Sequence, residues 1–269
     1  MKKPLALVLL TLIGCVALNP TSRVSLKRKA PEEYITQLHQ STRSWPKDDT
    51  LQEQLSYVGR IESVLEEKQR KIETHSGTCY PITTFESKKG FIVFFLTANH
   101  VVRGNKNTIF LYKHPERYIN QYATIILKDV VVIDTSVALD SALLMVKSDV
   151  YIRPMKMSPY APKFLQRVLS VGCPVGHPPF VSEGIVSRTS NTSQEGPRWC
   201  LSAPIAPGNS GGPVVDAKTG NVVGTAVSIW AFSSNWGTDE LLYHFNNMVP
   251  MCNIKPWAEA NINKLRKTL

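Results

Sequence analysis

From residue 77 onward the chain breaks into short apolar runs rich in Val, Ile, Phe, Thr and Tyr, separated by Gly, Pro and Asn. The runs are Gly90–Leu96, Thr108–Tyr112, Ala123–Ile133, Ala142–Val146, Val168–Gly172, Gly184–Ser187, Pro213–Val215 and Val222–Ser228. β-Branched and aromatic side chains suit a pleated surface, and turn residues at such close intervals leave no length for long helices between them. The expected fold class is therefore all-β, a sandwich or barrel of many short strands. Helices are expected only at the two flanks. Thr50-Leu51-Gln52-Glu53 matches a capping box, and Leu51, Leu55, Val58, Ile61, Leu65 and Ile72 follow at helical spacing among polar residues, which predicts an amphipathic helix over 51–73. Pro256 to Lys267 reads as a terminal helix, with Pro256 early in it and Lys264, Arg266 and Lys267 in its last turn.

The length of 269 residues allows one large domain or two small ones, and 43% apolar against 19% charged residues excludes a disordered chain. No repeat recurs at a fixed period. The net charge of +10 is compatible with an anionic lipid surface, a nucleic acid or an acidic substrate, or with nothing beyond a basic bias. Zinc-finger spacing, a basic zipper and an aromatic RNA-binding pattern are all missing from the sequence, so no nucleic-acid partner is expected.

The first residues read MKKPLALVLLTLIGC. Lys2 and Lys3 precede an apolar run, Leu5 to Ile13, that is short for a bilayer span but suits an export signal. Leu12-Ile13-Gly14-Cys15 resembles the lipobox of bacterial lipoproteins. That resemblance implies cleavage before Cys15 and acylation of its thiol, hence an exported protein held to a membrane by lipid. Val16 stands where lipoproteins kept at the inner membrane commonly carry Asp. In a host with two membranes, the resemblance implies the periplasmic face of the outer membrane. A plain signal peptide cut near Ala17, or an uncleaved anchor, would leave Cys15 without a role. Four cysteines remain, Cys79, Cys173, Cys200 and Cys252. Exported cysteines can pair, three connectivities are open to four of them, and buried free thiols are the plainer reading. Without a C-x-x-C pair, no metal site is expected.

The segment densest in chemical meaning is Pro207-Gly208-Asn209-Ser210-Gly211-Gly212-Pro213-Val214-Val215. A serine hydroxyl is a weak nucleophile until a base takes its proton, and the intermediate it forms needs N–H donors aimed at one point. Glycines on both sides let the backbone turn tightly enough to supply them. The motif G-N-S-G-G-P resembles the nucleophile segment of trypsin-like serine peptidases, in the variant of the HtrA/Deg-type bacterial proteases. Two further segments agree in chain order. Leu96-Thr97-Ala98-Asn99-His100-Val101-Val102 resembles the segment of the general base, and Asp140-Ser141-Ala142-Leu143-Leu144 that of the triad aspartate. Val171-Gly172-Cys173-Pro174-Val175-Gly176 and Gly184-Ile185-Val186-Ser187 resemble the opening strands of the second barrel, so the likeness spans about residues 76–255.

The resemblance implies two six-stranded antiparallel β-barrels and a serine endopeptidase that needs no cofactor. His100, Asp140 and Ser210 would form the triad, with the N–H groups of Gly208 and Ser210 as oxyanion hole. His39, His75, His114, His177 and His244 stand outside the motif, and Asp129 and Asp134 lack the D-x-A-L-L run. Asn209 occupies the place where digestive trypsins carry an Asp that pairs with a newly cut N-terminus, so activation by cleavage is not implied. The specificity pocket would have its floor near Pro204 and Ile205 and a wall near Val227 and Ser228. With no carboxylate there, small or medium apolar residues are the expected preference over Lys or Arg. About fourteen residues follow Lys255, so the PDZ module usual in HtrA-type proteins is not expected. The expected layout is a signal with lipobox over 1–15, a tether and helix over 16–75, and a protease domain over 76–269, acting on polypeptide. Two rivals are a catalytically silent protein of this fold that binds peptides or a partner, and a surface adhesion or exclusion factor; labelling by a serine-directed reagent separates them from the protease. No pattern in the chain names an oligomeric state.

Overall fold

The computed structural model describes residues 55–68, 70–88, 90–112, 125–189, 196–233 and 239–267, with the side chains of 230–245 outside the description. The signal and lipobox at 1–15, the tether at 16–49 and the capping box at 50–53 lie outside the described residues, as do His39, His114 and the side chain of His244.

The described chain is mainly strand, in two units, with one helix at its end. Seven strands make the first unit: β1 (Gly59–Glu67), β2 (Arg70–Ser87), β3 (Gly90–Thr97), β4 (Lys106–Leu111), β5 (Ile125–Leu127), β6 (Val131–Ser136) and β7 (Ser141–Ser148). They form one sheet in the order β5-β4-β1-β2-β3-β7-β6, its pairs all antiparallel. Its two end strands, β5 and β6, are joined only by Lys128, Asp129 and Val130, and the Val130 N–H reaches back to the Asn107 carbonyl at the β4 side. The second unit is a closed six-stranded barrel of β8 (Arg167–Gly172), β9 (Phe180–Arg188), β10 (Trp199–Leu201), β11 (Pro213–Asp216), β12 (Val222–Ser233) and β13 (Asp239–Pro250), in the order β10-β13-β12-β11-β8-β9. Helix α1 (Met251–Arg266) follows. The trypsin-like double-barrel arrangement expected from the sequence is the one observed.

The helix expected over 51–73 is not there: from residue 59 the segment forms β1 and the start of β2, and it raises the first unit from the expected six strands to seven. The reason lies in Ser63. Gly59, Ile61 and Ser63 are the buried positions of β1 and alternate with half-buried ones, a period of two. With a serine at one inward position, the apolar residues left over, Ile61 and Leu65, fall at helical spacing. Ser63 is fully buried and accepts the Gly104 N–H at 2.8 Å, so a hydrogen bond there takes the place of apolar packing.

Apolar packing fills the first unit. Val93–Leu96 of β3 and Ala142–Leu144 of β7 are buried without interruption, because both strands have paired neighbours on each side and are covered on both faces. The barrel has its own core around Val168, Val186, Leu201, Val214 and Met248. A hydrogen bond of 2.6 Å between the hydroxyls of Tyr80 (β2) and Thr225 (β12) crosses between the units inside the protein.

Helix α1 starts five residues before Pro256. Proline inside a helix removes one hydrogen bond and costs about 3 kcal/mol or more. Met251 and Ile254, both fully buried, are gained by the extra turn, and their burial offsets that cost at roughly 1.5–3 kcal/mol each. The helix leaves the barrel and docks on the first unit: Trp257 Nε1 and Asn261 Nδ2 both donate to Asp134 Oδ2, at 2.9 and 2.8 Å. Asp134 is thus engaged with α1.

Candidate active site

His100 sits in a single 3-10 turn, Asn99–Val101, directly after β3. Thr97 pairs with Ala142, so the end of β3 lies beside the start of β7, and the turn Val137–Asp140 before β7 is carried to the same place. There the Asn99 N–H donates to the Asp140 carbonyl at 3.1 Å. The Asp140 carboxylate is held at both oxygens by one residue: the His100 backbone N–H donates to Oδ1 at 3.1 Å, and His100 Nδ1 lies 2.8 Å from Oδ2. An ionised carboxylate only accepts, so Nδ1 carries the proton, and Nε2 of the neutral ring is left as an acceptor. Among the described residues nothing occupies Nε2. The two side chains are 15% and 19% exposed, shielded but reachable. Asp140 has φ of +42°, a left-handed conformation that aspartate tolerates better than most residues.

Ser210 lies on the loop Pro207–Gly212 that feeds β11. Glycine is required at two positions. Gly208 and Gly211 have φ of +97° and +87°. A Cβ on Gly211 would collide with the Thr78 carbonyl, the Thr97 hydroxyl and the Ala98 N–H, just ahead of His100. One on Gly208 would strike the Cys173 carbonyl. The loop is bonded to both units: Thr78 N–H donates to the Ser210 carbonyl at 2.8 Å, and Gly211 N–H to the Ala226 carbonyl at 2.7 Å. The fold therefore brings the Ser210 loop against the strand end that carries His100. In this state the Ser210 hydroxyl donates to the Val227 carbonyl at 3.4 Å and not to His100.

The loop's N–H groups divide in two. Those of Asn209, Gly211 and Gly212 are used on the carbonyls of Ala206, Ala226 and Asn209. Those of Gly208 and Ser210 have no acceptor among the described residues. A pair of unspent donors with one residue between them, beside a hydroxyl, is what a developing oxyanion needs. Asn209 is 5% exposed, and its side-chain carbonyl has no partner among the described residues. A neutral amide bears this at about 1–3 kcal/mol; an unpaired carboxylate in its place would cost more.

Of the pocket residues, Pro204 is exposed and Ser228 half-buried, while Ile205 and Val227 turn their side chains into the two cores. The Pro204 carbonyl accepts the Ser182 hydroxyl at 2.6 Å. Two residues absent from the sequence reading join these walls from β13: Asn246 Nδ2 donates to the Ala203 carbonyl at 2.7 Å, and Asn247 Nδ2 to the Ser228 hydroxyl at 3.1 Å. No periodicity singles them out, since their importance comes only from the strands they bridge.

The other candidate groups lie apart from this chemistry. The four described cysteines are free, and burial pushes Cys173 up to about 12 and Cys79 well above its ordinary value. Both stay protonated at neutral pH and are poor nucleophiles. His75 is buried and faces Glu73 at 3.2 Å. Among the described residues no cluster of His, Cys, Asp and Glu is arranged to hold a metal ion, and no helix is long and apolar enough to cross a membrane.

No curated protein matches the chain. A family model described as "Trypsin-like peptidase domain" matches residues 82–224, more than half of it.

Proposed function

The chain belongs to the trypsin-like peptidase domain family, and we propose that it is a serine endopeptidase whose triad is His100, Asp140 and Ser210. The observation that carries this reading is the 2.8 Å contact of His100 Nδ1 with Asp140 Oδ2, beside a serine loop with two unspent N–H donors. His100 Nε2 takes the Ser210 proton as Oγ attacks the peptide carbonyl, and returns it to the leaving amine. Asp140 holds the ring in the competent tautomer and stabilises its charged form. The N–H groups of Gly208 and Ser210 receive the oxyanion. In the resting state Ser210 Oγ has to leave the Val227 carbonyl, a weak contact at 3.4 Å, by rotation about one bond. Its neighbour Asn209, neutral and with a side-chain carbonyl that has no partner among the described residues, supports the HtrA/Deg-type variant and a site assembled without a new N-terminus. The substrate is polypeptide in extended form, laid along the strand edge near Val227 and Ser228. A fluorophosphonate probe tests the reading: peptide mapping should find the adduct on Ser210. Labelling elsewhere, or none with folded protein, removes it.

The second part of the proposal concerns location. Lys2-Lys3, the apolar run Leu5–Ile13 and Leu12-Ile13-Gly14-Cys15 support export and acylation of Cys15. Several acyl chains at about 0.8 kcal/mol per buried methylene hold a protein firmly to a bilayer. Cys15→Ser expressed in the native host should move from the membrane to the soluble fraction and lack the lipid mass. A variant that fractionates and weighs like the wild type, apart from the substitution, ends the lipoprotein assignment and leaves the peptidase reading intact.

A further inference from the structure

Gly208 supplies one of the two proposed oxyanion donors, and both peptide planes beside it are anchored by residues far away in the chain. The Pro207 carbonyl accepts the Val175 N–H at 2.7 Å. In a trans peptide the N–H points opposite to the C=O, so this bond turns the Gly208 N–H away from Val175. The carbonyl of Gly208 itself accepts the Thr78 hydroxyl at 2.7 Å. The same hydroxyl accepts the Cys173 N–H at 2.8 Å, at the start of the turn that presents Val175. Thr78 is fully buried, so its one donor and one acceptor act without competition from water. Its main chain adds two links: N–H to the Ser210 carbonyl at 2.8 Å, and its carbonyl from the Thr97 hydroxyl at 2.7 Å, three residues before His100.

The turn that carries Val175 is held under strain. Val175 has φ of +45°, an outlier for a β-branched residue, and is 63% exposed, so its own side-chain packing does not impose that conformation. What braces the turn is Arg60 on β1. Its Nη1 donates to the Gly176 carbonyl at 3.4 Å and meets Glu62 Oε1 at 3.0 Å, while its guanidinium lies 4.4 Å above the Phe110 ring.

We propose that Thr78 is a positioning residue for the oxyanion hole: its hydroxyl holds the Gly208–Asn209 peptide through the Gly208 carbonyl while the Arg60-braced Val175 N–H holds the Pro207–Gly208 peptide, and the two together clamp Gly208 so that its N–H faces the substrate carbonyl. The inference rests on the endopeptidase reading above. Thr78→Val keeps the shape and removes the hydroxyl. Losing one oxyanion donor outright costs about 10²–10³ in kcat, so a donor left misaligned costs about ten- to a hundredfold. The expected result, with rates normalised to titrated active sites, is that fall in kcat, KM within about twofold, and a matching loss of affinity for a peptidyl trifluoromethyl ketone. Thr78→Ser restores both. A residue with only a structural role lowers the melting temperature and leaves kcat per active site unchanged, and that outcome overturns the proposal. Should Thr78→Val not fold, Arg60→Gln, made at a partly exposed side chain, decides: kcat falls several-fold with KM unchanged, or the clamp is refuted. If the wild type neither cleaves nor labels, the endopeptidase reading fails, and a crystal structure of Thr78→Val still decides the clamp, since a Gly208 carbonyl that keeps its orientation without the hydroxyl refutes it.

Discussion

Ser210→Ala lowers kcat for an unfolded protein substrate by about a millionfold and leaves the fold in place. The magnitude follows from what the hydroxyl does: without a nucleophile, the base and its carboxylate have nothing to activate, and the three groups fail as a unit. Residual rate over water of roughly a thousandfold persists, because the Gly208 and Ser210 N–H groups and the substrate groove are untouched. Stability changes by no more than about 1 kcal/mol, since the hydroxyl's one hydrogen bond, to the Val227 carbonyl at 3.4 Å, is long and half-exposed. The loop is held by main-chain bonds, Thr78 N–H to Ser210 C=O and Gly211 N–H to Ala226 C=O, which the substitution leaves alone. The measurement compares wild type and variant, both lacking residues 1–15, by cleavage assay and thermal unfolding. Equal cleavage removes Ser210 from the mechanism; a collapsed melting transition shows that the hydroxyl has structural work not visible in its contacts.

What the sequence disclosed, and what it hid, divides along the range of the interactions. The chain segments around His100, Asp140 and Ser210 are legible because each carries its own local signature: a polar residue at the end of an apolar run, a D-x-A-L-L stretch, a serine between glycines. Strands β3, β4, β7, β8, β9, β11 and β12 are legible for the same reason, since their apolar runs are bounded by turn residues; β5 and β6 share the single run Ala123–Ile133, and β10 and β13 match none of the runs. The first strand was not. Its alternation is broken by Ser63, whose inward position makes sense only once the Gly104 N–H arrives from 41 residues away. Thr78 was equally silent. It stands 95 residues from Cys173 and 130 from Gly208, and a lone threonine in a strand carries no mark of partners at that distance. Asn246 and Asn247 were hidden in the same way. Pro256 misled the reading of α1 for an energetic reason. Its preference for a first turn is a few kcal/mol at most, and the burial of Met251 and Ile254 outweighed it. Apart from α1, buried polar groups are the common element of these misses. They interrupt the hydrophobic pattern that sequence reasoning depends on, and they are satisfied only by the tertiary fold.

Asp140→Asn lowers kcat by about ten-thousandfold without loss of fold, and the geometry explains why no orientation of the amide rescues it. Asp140 accepts two hydrogen bonds from His100, the backbone N–H at Oδ1 and the ring at Oδ2. Asparagine offers one acceptor and one donor. If its NH₂ group faces the ring, Nδ1 must become the acceptor, the proton moves to Nε2, and the base that should receive the Ser210 proton is already protonated. If its carbonyl faces the ring, the competent tautomer survives, but the NH₂ group then points at the His100 backbone N–H, donor against donor, in a site only 15–19% exposed. The first orientation satisfies both hydrogen bonds and is preferred, so the variant rests in the inactive tautomer. The imidazolium that forms during attack also loses the negative charge beside it. The fold tolerates the change because position 140 has φ of +42°, and asparagine adopts the left-handed region as readily as aspartate. Asp140→Ala is the contrasting variant, adding backbone strain of about 1–2 kcal/mol to the loss of both bonds, so it should lower the melting temperature where Asp140→Asn does not. Steady-state kinetics with the Asn variant, together with ¹⁵N NMR of the imidazole to read the tautomer, makes the test. A variant that keeps cleavage within tenfold of wild type, or a ring that keeps its proton on Nδ1 while the rate falls, rules out orientation of His100 as the role of Asp140.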